Sequence, residues 1–539
     1  MADRISDGIK EFDAIVVGAG FAGLFMLHRL RGLGMSVRVL EAGSAIGGTW
    51  FWNRYPGARC DIESMEYSYQ FSEDLQQEWE WTERYASQPE ILAYINHVAD
   101  RFDLRGDIVL DTRVESAIFD ESANRWTLRT DSGSELRAQF CIMATGCLSC
   151  RNTPNFKGLG GYKGEWFHTN DWPHEGVDFS GKRVGVIGTG SSGVQAIPMI
   201  ARDAAQLIVF QRTANYSIPT RNRPLDPEVQ AAVKADYAGF RARNSKTAWG
   251  TVGDLVNGGP SALALSPLER EQAYETAWQR GGVSFLITFD DLLIDRQSND
   301  TAVEFVARKI RETVADQSVA ERLIPNQTLG CKRICADTGY FETFNRPNVT
   351  LVDVSGDAID EVTTTGLRLE SGEHFELDAI VFATGFDAMT GALLRIDPRG
   401  KSKLALSEKW SEGPKTYLGL GMSGFPNLFT ITGPGSPSVL SNMVPAIEQH
   451  ANWIADCLAY LRENGHERIE VTKAAEEAWV AHVNEVADAT LFPDCNSWYV
   501  GSNIPGKPRI FMPYLGYAAY VEKCDEVAEK SYEGFDLSS

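Results

Sequence analysis

Residues 12–23 read FDAIVVGAGFAG, a short apolar run with a β-branched centre that ends in glycines at positions 18, 20 and 23. Leu24, Leu27 and Leu30 then follow at helical spacing. A second apolar run, Ser36–Leu40, ends in Glu41, at about the 20-residue distance at which a dinucleotide-binding unit places its acid. The pattern predicts a strand, a tight turn and a helix whose N-terminus binds a pyrophosphate, with Glu41 on a ribose hydroxyl.

The same unit recurs in residues 183–193, where the run RVGVI leads into Gly188-Thr189-Gly190-Ser191-Ser192-Gly193. After the next apolar run, Gln206–Phe210, the acidic position holds Gln211, and Arg212 follows it. Losing the carboxylate removes repulsion towards a 2′-phosphate, and the guanidinium offers that phosphate a bidentate partner. We therefore expect the first unit to bind FAD and the second to bind NADP(H).

Each unit closes with the same tripeptide after an apolar strand, Ala-Thr-Gly at 144–146 and at 383–385. Two nested copies predict an α/β fold with two Rossmann-like dinucleotide-binding domains, the NADP domain being inserted in the FAD domain. The second unit is longer, and the polar, helix-patterned stretch 222–325 predicts a helical insertion within it, with a capping box at 266–269. The expected boundaries are 1–149 and 386–539 for the FAD domain, and 150–221 and 326–385 for the NADP domain.

Composition narrows the class of protein. The chain has 539 residues, with 43% hydrophobic and 23% charged, which is globular and too long for one core of about 250–300 residues. The net charge of −22 would repel a phosphate backbone, so nucleic acid and anionic membranes are not expected partners. Two long uncharged stretches, 184–201 and 416–447, are rich in Gly, Ser, Thr and Pro, which predicts loops and buried elements and no membrane span.

Cysteine and histidine usage bears on the cellular compartment and on metal binding. Nine cysteines, an odd number in a long chain, predict no disulfide framework and favour a reducing cytoplasm. The N-terminus shows no apolar run before Glu11, so no signal peptide is expected. The eight histidines have no metal-ligand spacing, so no metal site is expected.

The segment between the two units carries a more specific motif. Residues 162–174 read YKGEWFHTNDWPH, which resembles the fingerprint FxGxxxHxxxWP of Baeyer-Villiger monooxygenases, with Tyr162 in place of the Phe. Further resemblance to the type I, single-chain branch with phenylacetone, steroid and cyclohexanone monooxygenases lies in GGTWFWNRYPG at 47–57, CKR at 331–333, ATGFD at 383–387, and NSWY and NIPGK at 496–499 and 503–507. It implies that NADPH reduces FAD, that O2 adds at the flavin C4a carbon, and that the peroxyflavin attacks a ketone to give an ester or lactone.

The resemblance also implies roles for individual residues. This chemistry needs a fixed cation beside the flavin, and Arg333 occupies the family position for it, with Asp61 as the acid that pairs with the arginine and orients it. His168 is not assigned a proton transfer, and Thr384 and Gly385 are expected at an interdomain hinge. The expected cofactor-binding residues are Gly18, Gly20, Gly23, Glu41, Gly48, Thr49, Trp50, Asp61, Gly188, Thr189, Gly190, Ser191, Ser192, Gly193, Arg212, Thr213, Lys332 and Trp498. The expected substrate pocket comprises Leu148, Ile334, Phe386, Pro437, Ser438, Val439, Leu440 and Trp498.

Other reaction classes remain open. Cys147-Leu148-Ser149-Cys150 is a CxxC compatible with a pyridine nucleotide-disulfide oxidoreductase, although it lies between the two units, away from the usual positions of such a pair. Cys331 and Cys335 are expected to be packing residues. An N- or S-oxygenase is the main alternative, and a non-enzymatic nucleotide-binding protein is a third. The apolar pocket implies a hydrophobic ketone, with an aryl or bulky cyclic one preferred, and no obligate protein partner is evident.

Overall fold

A computed structural model describes residues 10–152, 155–253 and 260–539. The segment 1–9, on which the expectation about a signal peptide rests, lies outside these ranges. The strands are β1 (Lys10–Val17), β2 (Val37–Leu40), β3 (Ile108–Val109), β4 (Val114–Asp120), β5 (Arg125–Thr130), β6 (Glu135–Met143), β7 (Glu165–His168), β8 (Arg183–Ile187), β9 (Gln206–Gln211), β10 (Ser217–Pro219), β11 (Cys335–Asp337), β12 (Val349–Asp353), β13 (Ile359–Val362), β14 (Gly366–Leu369), β15 (His374–Glu376), β16 (Ala379–Phe382), β17 (Leu428–Thr430), β18 (Arg468–Val471) and β19 (Phe535–Ser538).

The helices include one directly after each glycine turn, as the sequence predicts. They are α1 (Phe21–Gly32), α2 (Thr49–Trp52), α3 (Glu73–Glu78), α4 (Gln88–Arg101), α5 (Ser191–Asp203), α6 (Pro227–Ala235), α7 (Tyr237–Ser245), α8 (Pro267–Arg280), α9 (Arg296–Thr313), α10 (Gln317–Leu323), α11 (Tyr340–Thr343), α12 (Gly391–Ile396), α13 (Leu406–Lys409), α14 (Met443–Glu463), α15 (Lys473–Asp488) and α16 (Tyr517–Glu529).

The first sheet has the strand order β3-β2-β1-β6-β5-β4, and β17 pairs with β6. Strands β1, β2, β3, β6 and β17 are parallel. Strand β5 pairs antiparallel with the N-terminal half of β6, and β4 pairs antiparallel with β5. Helices α1 and α14 cover one face of the sheet and contribute to a large core that includes Leu24, Leu27 and Ile454. Because β17 follows the second sheet in the chain, the polypeptide returns to the first sheet after leaving it.

The second sheet is fully parallel, with the order β12-β9-β8-β16-β7. Its edge strand β7 is part of the segment 162–174, and it pairs with β16, the strand that runs into Ala383-Thr384-Gly385. The carboxyl ends of β8 and β16 thus lie at one edge, where an open parallel sheet binds its ligand. The predicted fold class, two Rossmann-like domains with one inserted in the other, is confirmed.

Helices α6–α10 occupy the described part of the predicted insertion, between β10 and β11. The capping box is confirmed: Ser266 Oγ accepts from the backbone N–H of Glu269, and the Glu269 carboxylate accepts from the backbone N–H of Ser266. This reciprocal pairing satisfies two N–H groups at the start of α8.

The two long uncharged stretches form ordinary elements of the two sheets. The first becomes β8 and α5, and the second contains β17 and the start of α14. Across the described ranges, we find no helix that is both long and apolar enough to cross a membrane.

Gly23 is the position where helix α1 lies closest to the glycine turn. A Cβ at Gly23 would overlap the backbone carbonyl oxygen of Gly18, so Gly23→Ala is expected to displace the turn and lower both FAD content and thermal stability. Gly32→Ala, at the other end of α1, is the matched control, because a Cβ there meets nothing within 4 Å and Ala favours the helix by up to about 1 kcal/mol. Flavin absorbance and thermal unfolding of both variants test this. The same FAD content and the same unfolding temperature in both variants would contradict the packing argument.

Candidate active site

The first glycine turn forms an open backbone cradle. Gly18 has φ +106°, and a Cβ there would lie 2.6 Å from the carbonyl oxygen of Ala144. Gly20 caps helix α1 with no side-chain hydrogen bond, and the first turn of α1 holds no acidic residue. Across the turn, a Cβ at Gly48 would lie 2.9 Å from the Cα of Gly20. The free N–H groups of the helix start therefore face a space that suits a phosphate.

Glu41 lies beside this cradle at the end of β2. Its carboxylate accepts from the backbone N–H groups of Ala19 and Gly43, both at 2.7 Å. Burial raises the pKa of Glu41, although these two hydrogen bonds act in the opposite direction. A carboxylate has about four acceptor sites, so Glu41 can fix the turn and still accept from a ribose hydroxyl.

The second glycine turn repeats the first. Gly188 has φ +108°, Gly190 caps helix α5 without a side-chain hydrogen bond, and a Cβ at Gly190 would meet nothing within 4 Å. Thr189 Oγ1 donates to the carbonyl of Thr213 at 3.0 Å, which joins the turn to the end of β9. This cradle, too, suits a dinucleotide phosphate at a helix N-terminus.

Two cations flank the second cradle. Gln211 is buried, and its amide donates to the carbonyl of Arg322 at 2.7 Å, so the side chain that faces the cleft after β9 is Arg212. Burial lowers the pKa of Lys332, and the charge of Arg212 lowers it further. Within the described ranges neither cation has a carboxylate partner, which leaves both available for a phosphate.

One cleft of about 1950 Å³ joins both cradles. This exceeds the roughly 300–1,000 Å³ of a typical small-molecule site, so there is room for more than one ligand. Of the expected site residues, those that line the cleft are Gly18, Gly20, Glu41, Gly48, Thr49, Trp50, Asp61, Leu148, Gly188, Thr189, Gly190, Ser191, Ser192, Arg212, Thr213, Lys332, Arg333, Phe386, Val439 and Trp498. Gly23 and Gly193 do not line it, because each packs its helix against the carbonyl of the first glycine of its turn.

Arg333 lies where the two halves of the cleft meet. Its Nε donates to Asp61 Oδ2 at 2.8 Å, and its Nη1 donates to the carbonyl of Val439 at 2.7 Å. Burial opposes the charge of Arg333, but the Asp61 carboxylate outweighs it and holds the pKa of Arg333 above its usual range. About a quarter of each side chain of the pair remains exposed. The guanidinium is therefore a fixed, permanent cation with one face towards the cleft.

Tyr499 is a neighbour of Arg333 that the sequence analysis missed as a site residue. Both side chains line the same small cavity. Burial raises the pKa of Tyr499 to about 12, although the nearby charge of Arg333 lowers it. The ring is buried against Phe492, at 5.8 Å between centroids, and against Trp498. The only available signal was its position directly after Trp498 in the NSWY motif, which fixes no contact by itself.

The expected substrate-pocket residues do not all share one wall. Ile334 and Leu440 line a separate cavity of about 60 Å³ on the other side of Arg333, together with Phe492 and Tyr499. Pro437 and Ser438 are buried and line neither cavity, since Ser438 Oγ turns inward to the carbonyl of Thr432 at 3.2 Å. The short turn Ser438–Leu440 presents its later residues to the two cavities.

His168 joins the connection between the sheets. Its Nε2 lies 3.3 Å from the carbonyl of Asn152 and 3.2 Å from Thr384 Oγ1, which itself donates to the Asn152 carbonyl at 2.7 Å. Burial lowers the pKa of His168 to about 4. A neutral histidine in this bridge fits a structural contact, and Thr384 and Gly385, expected at a hinge, lie at the same crossing.

The cysteines depart from expectation at one place. Cys331 is not a simple packing residue, because it forms a disulfide with Cys495. The expectation was wrong because nothing in the spacing of two cysteines 164 residues apart reveals their proximity. The CxxC cysteines, Cys147 and Cys150, are free and buried, and burial raises the pKa of Cys147 to about 11. Such thiols are poor nucleophiles, which weighs against dithiol catalysis.

Metal chemistry finds no support in the described ranges, which contain no group of three or more His, Cys, Asp or Glu side chains able to hold an ion. The arrangement provides two phosphate cradles, one cation-rich side and one fixed guanidinium in a shared cleft. That combination suits a redox reaction between two bound nucleotides in which negative charge develops near Arg333.

Known proteins share this arrangement. Residues 15–240 match the family model described as pyridine nucleotide-disulphide oxidoreductase. A Baeyer-Villiger monooxygenase of Pseudooceanicola batsensis is 44% identical over 97% of this chain and 95% of its own length. A phenazine N-monooxygenase of Lysobacter antibioticus is 40% identical over 99% of this chain and 98% of its own length. The solved structure of an oxidized steroid monooxygenase bound to NADP is 52% identical, with a TM-score of 0.94 over 98% of this chain and 100% of that one. With two nucleotide cradles meeting at an arginine and such similarity along its whole length, the chain belongs to the Baeyer-Villiger monooxygenase family.

Proposed function

We propose that the protein inserts one oxygen atom of O2 beside the carbonyl of a hydrophobic ketone, giving an ester or a lactone, with FAD and NADPH. The observation that carries this proposal is the position of Arg333, which lines the cleft shared by the two cradles and is held by Asp61 and the Val439 carbonyl. A disulfide reductase with the CxxC pair as its dithiol would need Cys147 and Cys150 to be accessible, whereas both are buried, and a simple nucleotide-binding protein would have no need of a fixed cation.

The two cradles suit the two cofactors. Solved members of the family hold FAD and NADP together. The turn at Gly18 and Gly20, with Glu41 beside it, suits the pyrophosphate and ribose of FAD, and the turn at Gly190 with Arg212 suits NADPH. FAD, when bound and reduced by NADPH, supplies the activated oxygen atom and the electrons for the reaction.

Arg333 serves the substrate side of the reaction. When oxygen adds to a ketone carbonyl, negative charge develops on the ketone oxygen, and a preorganised cation lowers the energy of that state. Asp61 keeps the guanidinium plane fixed through Nε, so the group does not reorient during the reaction. Because the pKa of Arg333 lies above its usual range, it stays charged at every working pH.

The cleft wall favours an apolar substrate. Leu148, Phe386, Val439 and Trp498 face the cleft beside Arg333, and apolar walls with one polar group are typical of small-molecule sites. We propose an aryl or bulky cyclic ketone as the preferred substrate, and the cytoplasm as the location, which the seven free cysteines support.

N-oxygenation is the second candidate function. It is supported by the phenazine N-monooxygenase, whose identity to this chain is close to that of the ketone-oxidising relatives. Incubation of the pure protein with NADPH, O2 and a panel of ketones and aromatic N-heterocycles, with products identified by mass spectrometry, separates the two. N-oxide without ester would overturn ketone oxidation as the function.

Arg212 is expected to select NADPH over NADH. Arg212→Ala removes a charge-assisted contact to the 2′-phosphate worth about 1.5–3 kcal/mol, so NADPH should bind roughly 10- to 100-fold more weakly while NADH changes little. Arg202→Ala, an exposed arginine at the end of α5 outside the cleft, is the matched control. Steady-state KM values for both coenzymes provide the measurement, and equal losses for the two would show that Arg212 points elsewhere.

Arg333 is expected to be needed for oxygen transfer and not for folding. Arg333→Ala should fold and bind FAD, because neither cradle uses that side chain, while ester formation falls at least about 10²-fold. Arg333→Lys should recover little, since an ammonium lacks the planar fork that Asp61 orients. Flavin content, NADPH consumption and ester yield are measured together, with Arg202→Ala as control. Near-normal ester yield from Arg333→Ala would remove this residue from catalysis.

A further inference from the structure

The Cys331–Cys495 disulfide joins two segments that border the catalytic arginine. Cys331 directly precedes Lys332 and Arg333, and Cys495 lies in the segment that continues through Trp498 and Tyr499. The two Cα atoms are 5.9 Å apart, although 164 residues separate the cysteines in the chain. The bond therefore ties the Tyr499 side of the site to the Arg333 side.

Few other contacts hold the start of the second segment. The backbone N–H of Leu491 donates to the carbonyl of Leu293 at 2.8 Å, and Asp494 forms an ion pair with Arg296. Both charged side chains are about a third to a half exposed, so solvent weakens that pair. The covalent link at Cys495 adds to these two contacts and to the buried packing of Phe492 against Tyr499 in fixing where Trp498 and Tyr499 lie.

Further along, the same segment is anchored to the FAD domain. Asn503 Nδ2 donates to the carbonyl of Phe386 at 2.7 Å, and Lys507 Nζ donates to Asp387 Oδ1 at 2.7 Å. These contacts leave the stretch 495–502 as a short bridge between two anchors. The backbone N–H of Met512 also donates to the carbonyl of Tyr499 at 2.9 Å, so the disulfide is one of several restraints, and it is the one that ties the stretch to the Arg333 loop.

Cys495 is the accessible member of the pair. All nine cysteines lie in the described ranges. Seven are free and buried, Cys331 is 1% exposed, and Cys495 alone is partly exposed. Its neighbour Asn496 lines the cofactor cleft. Cys60, Cys147 and Cys150 line the cleft but are buried. Cys495 is therefore the cysteine most open to a small oxidant from solvent, which is the property expected of an oxidation-sensitive cysteine.

We propose that Cys331 and Cys495 are a reversible redox modification site that controls how closely the Trp498–Tyr499 segment is held against Arg333. The proposal rests on the proposed oxygenase function for its oxidant. When NADPH and O2 react without a ketone, NADPH, O2 and one proton give NADP+ and hydrogen peroxide. That product leaves through the cleft, whose lining includes Asn496, the neighbour of Cys495.

The oxidation balances with hydrogen peroxide as the oxidant. The Cys495 thiolate attacks one peroxide oxygen, the O–O bond breaks, and a sulfenic acid forms while the leaving hydroxide takes a proton to become water. The Cys331 thiol then attacks that sulfur, the S–O bond breaks, the S–S bond forms and a second water leaves. The two thiols lose two electrons, and one peroxide is reduced to two waters. A dithiol or phosphine reductant reverses the change.

The consequence is that the Trp498–Tyr499 segment is restrained more strongly when NADPH is consumed without oxygen transfer, because the peroxide formed then closes the disulfide. With the bond formed, Tyr499 stays beside Arg333 in the small cavity that both residues line, and Trp498 stays on the cleft wall. With it reduced, the bridge 495–502 moves more freely, water enters more often, and more NADPH is consumed without oxygen transfer.

The test compares oxidised and reduced holoenzyme. The native holoenzyme is treated either with one equivalent of hydrogen peroxide or with a phosphine, and is then denatured for thiol titration. We expect seven free thiols per chain after peroxide and nine after the phosphine. Peptide mass mapping should show the Cys331–Cys495 cross-link only in the oxidised sample. With a ketone present, reduction of the disulfide should raise the share of NADPH that ends as hydrogen peroxide roughly threefold or more. The reason is that fewer molecules then hold the Trp498–Tyr499 segment against Arg333.

Matched variants locate the effect. Cys331→Ser and Cys495→Ser should each show the high peroxide share and no response to the reductant. Cys457→Ser, a buried free cysteine on α14 outside the cleft, should respond as the wild-type protein does. If a Ser variant fails to fold, repeated reduction and reoxidation of the wild-type chain measures the same change.

Two results would overturn the proposal. One is nine thiols in the peroxide-treated chain, and the other is a peroxide share that is the same with and without the cross-link. Thiol counts and cross-linked peptides do not depend on ester formation, so failure of the proposed oxygenase function would be seen separately, as a chain that cross-links with added peroxide but makes no ester.

Discussion

The ion pair between Arg333 and Asp61 is the contact on which the site depends. Arg333 follows the helical insertion and Asp61 belongs to the first nucleotide unit, 272 positions away. A largely buried guanidinium is tolerated only with a carboxylate and further hydrogen bonds, which Asp61 and the Val439 carbonyl provide. The pair therefore requires the two sheets to be docked so that both cradles open into one cleft.

The two cradles place a helix N-terminus at a phosphate site with the same arrangement of three glycines. In each, a glycine with positive φ turns the chain, a second glycine leaves the helix start uncovered, and a third lets the helix approach the turn. What differs is the residue after the second strand. Glu41 accepts two backbone hydrogen bonds and stays beside its turn, whereas Gln211 turns inward and leaves Arg212 at the cleft. These two exchanges, Glu41 against Gln211 and Ala42 against Arg212, support the proposal that the second unit takes a 2′-phosphate.

The C-terminal segment completes the site from a distance. Residues 495–507 touch the Arg333 loop through a disulfide and the FAD domain through Asn503 and Lys507. The positions of Trp498 and Tyr499 therefore depend on contacts made by their neighbours. Because Trp498, Asn503 and Lys507 all line the cleft, the placement of this segment shapes the site.

The two Rossmann-like units, their nesting, the helical insertion and the likeness to the family could be predicted before the structure was known, because they rest on local patterns such as glycine spacing, apolar runs and a capping box. Contacts between distant residues could not be predicted in this way. The Cys331–Cys495 disulfide, the Tyr499–Arg333 contact, the inward turn of Ser438 and the split of Ile334 and Leu440 into a second cavity each join residues far apart in the chain or depend on which way one side chain points. Such contacts are fixed by the packing of the whole molecule, and no local spacing encodes them.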